Sequence, residues 1–304
     1  MKCYIILIIL FLNSLSSCID TPSDSKKDDK NQELELLWSY EYERETKSLS
    51  LVSNAPTIID SEMILTALDA AVTSIDLESG EKIWRYELIE SVKLSTNQLL
   101  YDEDQVYVKM DVTNQMVVLK LKNGAVSWQE ELDGGKFFDQ QSDAISESSI
   151  YLTGDQQDIY EFSKSGEFIR RLQLEYSMRS GHYFHGDLII AHGYRDIDLS
   201  PFAFGQIVRY DLEADTLKWK YETDKGGFYT SPILLEDEII YAGTTEGPSE
   251  FVALSATTGE VLWRRTDVEA WTYTLSSEAI YINEGADLVA LRKTDGQQLW
   301  RTVF

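Results

Sequence analysis

Three histidines are the residues best equipped for metal or acid–base chemistry. All fall in one stretch, Gly181-His182-Tyr183-Phe184-His185-Gly186-Asp187-Leu188-Ile189-Ile190-Ala191-His192. Neutral imidazole is the commonest metal ligand. On a strand, however, His182 and His185 point to opposite faces, because side chains alternate with a period of two. Without a bulge they cannot share an ion, which leaves His182 with His192 as a weak metal pair and hydrogen-bonded structural histidines as the expectation. Nucleophilic and phosphate chemistry find no support, since there is no Gly-x-Ser-x-Gly elbow, no P-loop and no His-Glu-x-x-His. Asp133-Gly134-Gly135 and Lys225-Gly226-Gly227 recur at one point of two repeating units and read as connections. No catalytic residue is assigned, no cofactor is expected, and the chain reads as no enzyme.

The remaining reactive side chains are two cysteines, Cys3 and Cys18. Met1-Lys2 precedes an uncharged apolar run, Tyr4 through Leu12, too short to span a bilayer and typical of a secretory leader. The run ends in Leu15-Ser16-Ser17-Cys18, which resembles the bacterial lipobox. That resemblance implies cleavage before Cys18 and acylation of its sulfur, giving a leader over 1–17 and a membrane hold through buried acyl methylenes. The mature chain would then hold no internal disulfide, so packing alone maintains its core. Thr21-Pro22-Ser23-Asp24-Ser25-Lys26-Lys27-Asp28-Asp29-Lys30-Asn31 has nothing to bury. Residues 18–33 therefore read as a flexible tether, and the folded domain as 34–304.

A net charge of −25 excludes a general nucleic-acid binder, because phosphate contacts need clustered Lys and Arg. It also disfavours adsorption onto anionic lipid. An apolar fraction of 43% supplies a sizeable core, and 17 Tyr with 7 Trp favour strands.

The elements that would position any site are repeats. Ser74-Ile75-Asp76-Leu77-Glu78-Ser79-Gly80-Glu81-Lys82-Ile83-Trp84 is the clearest unit. The segments ending at Trp128, Trp263 and Trp300 match it in register, with Gly124, Gly259 and Gly296 at the glycine position. Two copies are worn: the one ending at Trp219 has Asp215 for glycine, and the one with Gly166 has lost its tryptophan, with Arg170 in that place. Unit ends recur every 37–49 residues, a period that points to four-stranded propeller blades. Strand–acidic turn–strand patterns such as Ile233-Leu234-Leu235-Glu236-Asp237-Glu238-Ile239-Ile240-Tyr241 fill the unit interiors. The glycine supplies a tight turn before the outer strand, and the tryptophan covers the flank of a neighbouring blade. The tryptophans are thus structural. Trp38 stands alone before the first unit, either adding its strand to the last blade or belonging to a rudimentary seventh; six blades are favoured.

The Asp/Ser-x-x-x-Gly-x-x-x-Trp pattern resembles the repeat of the PQQ-like (quinoprotein-type) β-propellers from about residue 37 to 304. The resemblance implies an all-β propeller, and the dehydrogenase branch implies quinone and Ca²⁺. No acidic and amide ligand set can be matched here, nor can a vicinal cysteine pair. By architecture the chain is similar to the propeller lipoproteins of outer-membrane barrel assembly. That similarity implies an outer-membrane lipid anchor in the bacterial envelope and protein partners bound through loops. The other reading is a ligand, quinone or metal in the central channel. The fourth unit carries an insertion, 193–205, whose Ile197, Leu199, Phe202 and Phe204 would be costly to leave in water and are candidates for partner docking. Arg179, Tyr229 and Trp271 are candidates for the channel mouth.

Overall fold

A computed structural model describes residues 4–6, 38–41, 57–59, 62–67, 71–88, 99–110, 113–132, 143–154, 157–175, 178–194, 204–223, 226–228, 233–244, 249–268, 270, 272–285 and 287–303. Among them there is no helix. Twenty-four strands form six four-stranded antiparallel sheets in sequence order, each a meander of neighbours. The first blade is Thr57–Ile59, Glu62–Ala67, Ala71–Asp76 and Lys82–Glu87, and the sixth is Thr272–Leu275, Ala279–Glu284, Asp287–Arg292 and Gln298–Val303. The six blades expected from the repeat are therefore present, with Trp84, Trp128, Trp219, Trp263 and Trp300 all near the start of an outer strand.

Strand chemistry explains the layering. Second and third strands are buried on both faces and read as near-continuous apolar runs, such as Val106-Tyr107-Val108 and Phe251-Val252-Ala253-Leu254. Outer strands face solvent on one side and are mixed, as in Lys82–Glu87. First strands lie innermost and, apart from the fourth blade's Met178–Phe184, are short, with Ala144–Ile145 touching both Leu100–Tyr101 and Met178–Phe184. The core is divided between blades. Five apolar clusters fill the joints between the first and second, second and third, third and fourth, fourth and fifth, and fifth and sixth blades.

The outer strands share an irregularity that the repeat pattern does not announce. In all six blades the ladder to the third strand skips one residue immediately before the tryptophan position, as where Ser74 pairs with Trp84 but Ile75 pairs with Lys82. Such a bulge bends the strand and raises its twist. It expels the skipped residue, leaving Ile83 43%, Ile169 48% and Leu262 51% exposed. The same distortion re-aims the following tryptophan at the next blade.

The position of Trp38 agrees with the second of the two alternatives for its strand. Among the described residues its strand, Ser39–Glu41, pairs antiparallel with Tyr4–Ile6, which lies within the 1–17 leader that cleavage before Cys18 would remove, and not with the last blade. Its indole seats on the first blade, donating to the Leu77 carbonyl. Trp38 therefore occupies the outer-strand place of a blade preceding the first.

Candidate partner-binding surfaces and the joints that hold them

Five of the six joints are built from the same parts. The turn glycine takes positive φ, from +66° to +97° over Gly80, Gly124, Gly166, Gly259 and Gly296. The indole of the preceding blade lies directly on it, so that an added Cβ would come within 2.5–2.9 Å of Trp38, Trp84, Trp128, Trp219 and Trp263 respectively. Each indole N–H then donates to a turn carbonyl, of Leu77, Leu121, Lys164, Ala256 and Lys293, at 2.7–3.1 Å. The glycine thus serves twice, through its left-handed backbone and through its missing side chain. Burying one indole removes ~150–250 Å² from water.

The two worn repeats turn out to be two halves of one joint. Arg170, in the third blade's tryptophan place, faces the turn of the fourth blade, where Asp215 stands for glycine with φ +56°. An indole could not lie on a residue carrying Cβ. Arg170 instead donates from Nη1 to the Leu212 carbonyl at 3.0 Å, three residues before Asp215, the acceptor position used by four of the five indoles. Its Nε donates to Glu161 at 2.7 Å, the residue opposite it in the ladder. The next joint adds a second guanidinium: Arg209 lies 4.9 Å from the Phe184 ring centroid, pairs with Asp187 and reaches the Ala256 and Thr257 carbonyls at 3.3 Å.

Cross-strand register aligns one row per blade toward the following blade. The rows are Leu100-Tyr107-Val118-Trp128, Ala144-Tyr151-Glu161-Arg170, His182-Ile189-Arg209-Trp219 and Leu234-Tyr241-Ala253-Trp263. The sixth blade's row is Thr274-Tyr281-Ala290-Trp300.

The histidines are placed apart. His182 sits in the row facing the fifth blade, its Nε2–H donating to the Ile233 carbonyl at 2.7 Å; burial lowers its pKa. His192 is buried three residues beyond Ile189, the ladder partner of His182, or ~10 Å along the strand. His185 lies in the hairpin turn with φ +49°, not on a strand. The weak metal pairing of His182 with His192 is thereby overturned on distance, and no group of three or more His, Cys, Asp or Glu side chains placed to hold a metal occurs among the described residues.

A cavity of about 930 Å³ opens beside the first-strand turns of the second and third blades. Tyr101, Ile145 and Tyr183 line it with Asp102, Glu147 and Lys164. Burial raises the pKa of Asp102, but the Asp104 backbone N–H, Lys164 and Tyr107 outweigh it and hold the carboxyl below its ordinary value. Lys164 pairs with Asp102 at 3.1 Å. Tyr151 is pushed up to about 12, by burial first and by the Glu161 carboxylate second. These shifts belong to pairs that tie strands together.

Of the proposed docking residues, Ile197, Leu199 and Phe202 lie outside the described residues, as do Tyr229 and Trp271. Arg179 and Phe204 are described as strand backbone alone. The two ends of the insertion prove to be ladder, Gly193 pairing with Gly205 and Tyr194 with Phe204, so the fourth blade's middle strands are eight residues long.

Sequence reasoning found the tryptophans and glycines but missed the bulge, the carbonyl acceptor and the Arg170–Asp215 pairing. The available signal was that the lost tryptophan and the lost glycine fall in adjacent units.

A search of curated proteins finds no match. Among solved structures, BamB from Moraxella catarrhalis is similar, with a TM-score of 0.60 and 16% identity over 89% of this chain and 80% of that one. The computationally designed Ika8 protein is also similar, at a TM-score of 0.55 and 11% identity over 83% of this chain and 86% of that one. These likenesses show the fold. A family model described as outer membrane protein assembly factor BamB matches residues 35–181 and 155–304, which together span all six blades. Repeat pattern, blade order and this match converge, and the chain belongs to the BamB-like family of PQQ-repeat β-propellers.

Proposed function

We propose that this chain is a non-enzymatic scaffold, lipid-anchored through Cys18 at the outer membrane of a bacterial envelope, that binds protein partners in outer-membrane protein assembly. The observation that carries the reading is the family match across all six blades. The arrangement of ionisable groups is in keeping with it. Asp102, Glu161, Asp187 and Glu250 are each engaged by tyrosine, lysine or arginine partners within a blade or between adjoining blades. A run of sheets held by such joints, with loops between their strands, suits partner binding, since surface loops tolerate change better than packed elements. Insertion residues 195–203, with Phe202 at their apolar centre, remain the first candidate for a docking loop.

The test is co-purification from native membranes after crosslinking. Wild-type chain is expected to bring down barrel-assembly proteins, and a Phe202→Ser/Phe204→Ser variant to lose them. Cys18→Ser is expected to leave the chain in the soluble envelope fraction. Recovery of no assembly component by the wild type refutes the scaffold reading.

A further inference from the structure

Asn123-Gly124 is the one Asn-Gly pair in the chain, and it falls on a joint. The turn glycines follow Ser79, Asn123, Ser165, Thr258 and Asp295. A hydroxyl side chain offers no electrophilic carbon. Only Asn123 and Asp295 put a carbonyl carbon where the nitrogen of the following glycine can close on it to give a cyclic imide. Asp295 is held ionised, its carboxyl kept below the ordinary range by the Gln297 backbone N–H first, with Arg292 adding to it against burial. A carboxylate is a poor electrophile. Asn123 is exposed and carries a neutral amide. Its Oδ1 accepts the Ala125 backbone N–H at 3.1 Å, a local bond that folds the side chain back along its own backbone. The ring this bond closes contains both the Asn123 amide carbon and the Gly124 nitrogen, and glycine has no side chain to shield that nitrogen.

We propose that Asn123 is a self-modifying site, converted to aspartate and isoaspartate through a succinimide at a rate set by the seating of Trp84. The Gly124 nitrogen bonds to Cγ of Asn123, the Cγ–Nδ2 bond breaks, and the Gly124 amide proton leaves with Nδ2 as ammonia. Water then adds across one of the two imide C–N bonds, so no other reactant is needed. The seat matters because the Gly124 N–H is engaged. It donates to the Lys120 carbonyl at 2.9 Å, while the Lys120 N–H donates to the Ala125 carbonyl at 2.8 Å. Attack requires the first of these bonds to break, so the reactive form is the locally opened turn. Trp84 opposes that opening, since its ring lies on Gly124 and its indole N–H donates to the Leu121 carbonyl at 2.7 Å.

The two products differ in consequence. Aspartate leaves the backbone as it was, and Asp295 shows that such a turn accepts it. Isoaspartate carries the chain through the side-chain carboxyl and so inserts a methylene before Gly124. A Cβ on Gly124 would already meet the Trp84 ring at 2.5 Å. The lengthened turn cannot both lie under the indole and close its two bonds to Lys120. Because ammonia is lost, the joint between the first and second blades is opened irreversibly.

The test incubates the purified full chain in mildly alkaline buffer and reads position 123 by peptide mapping and isoaspartyl methyltransferase labelling. Aspartate and isoaspartate are expected to accumulate there, with no change at Asp295 or at Asn283, which is exposed on a strand. The isoaspartyl fraction is expected to melt below fresh chain. Asn123→Ser, which places there the residue of the first and third blades, should melt as fresh wild type does and keep that melt on ageing. Trp84→Phe loses the indole N–H and is expected to convert faster than wild type. An amide that persists at 123 in the folded chain overturns the site, whether or not the urea-unfolded chain converts. Equal rates in wild type and Trp84→Phe overturn control by the seat, and an isoaspartyl fraction that melts as fresh chain does overturns the opening of the joint.

Discussion

Replacing Gly124 by Ala puts a Cβ 2.5 Å from Cε3 and 2.8 Å from Cδ2 of Trp84. Ordinary contact begins nearly an ångström farther out, so the ring or the turn must shift. Two costs add. An L-residue held at φ +66° loses ~1–2 kcal/mol against glycine, and overpacking a filled joint loses ~1–3 kcal/mol. Gly285 separates them, because its φ is +67° and nothing lies within 4 Å of a Cβ built on it. Gly285→Ala therefore carries the backbone cost alone, ~1–2 kcal/mol. The expected total for Gly124→Ala is ~2–5 kcal/mol, and the excess of ~1–3 kcal/mol measures the indole seat. Urea unfolding followed by tryptophan fluorescence reads both as a fall in midpoint at constant slope. In a Trp84→Ala background the excess should vanish, since the two residues couple only through contact. Equal losses for Gly124→Ala and Gly285→Ala would refute the claim that glycine is required there for closeness as well as for φ.

Arg170→Trp alone is expected to lose at least ~2 kcal/mol, because the indole meets the Cβ of Asp215 and Glu161 loses its guanidinium; adding Asp215→Gly should recover part of that loss in the same unfolding assay. Lys109 is buried, with its ammonium 2.8 Å from both Asp143 and Thr153. Lys109→Met strands that carboxylate and should cost ~3–5 kcal/mol by thermal or urea melt, with Lys109→Met/Asp143→Leu recovering most of it. Asp211 is held at about 2 by the Ala214 backbone N–H first and by Lys218 second. A carboxyl whose folded pKa lies below its unfolded value of 3.8 contributes stability that is complete above that pH and lost as pH falls toward 2. Asp211→Asn should flatten the acid limb of the stability profile over that window, measured by urea midpoint against pH.

The architecture was legible because a repeat writes the same constraint several times over. Gly80 and Trp84 alone are a weak pattern, but four copies in register leave few alternatives to blades of one size. What the pattern hid was relational. The bulge before each tryptophan leaves no composition signal, since the expelled residue is Ile83 in one blade, Ser127 in another and Lys218 in a third. Arg170 and Asp215 looked like separate decay because they lie 45 residues apart in the chain and meet only when blades stack. The histidine reading erred by placing His185 on the strand, when it lies in the hairpin turn and His182 packs against Ile233. The charge of −25 told of solubility and excluded partners without pointing to any surface.

The bulge also gives every joint a direction. Each outer strand reaches toward the later blade and never back, so the two faces of a blade are unlike, one offering an aromatic knob and the other a bare turn. Contacts between unlike faces are head-to-tail, and head-to-tail contacts close into a ring only when the angle between successive units happens to divide the circle. Nothing in a knob, a turn and one carbonyl encodes that angle. A lineage using this joint can therefore gain or drop whole units by duplication or deletion without redesigning any contact, provided that the two residues of a joint change together, as Arg170 and Asp215 have.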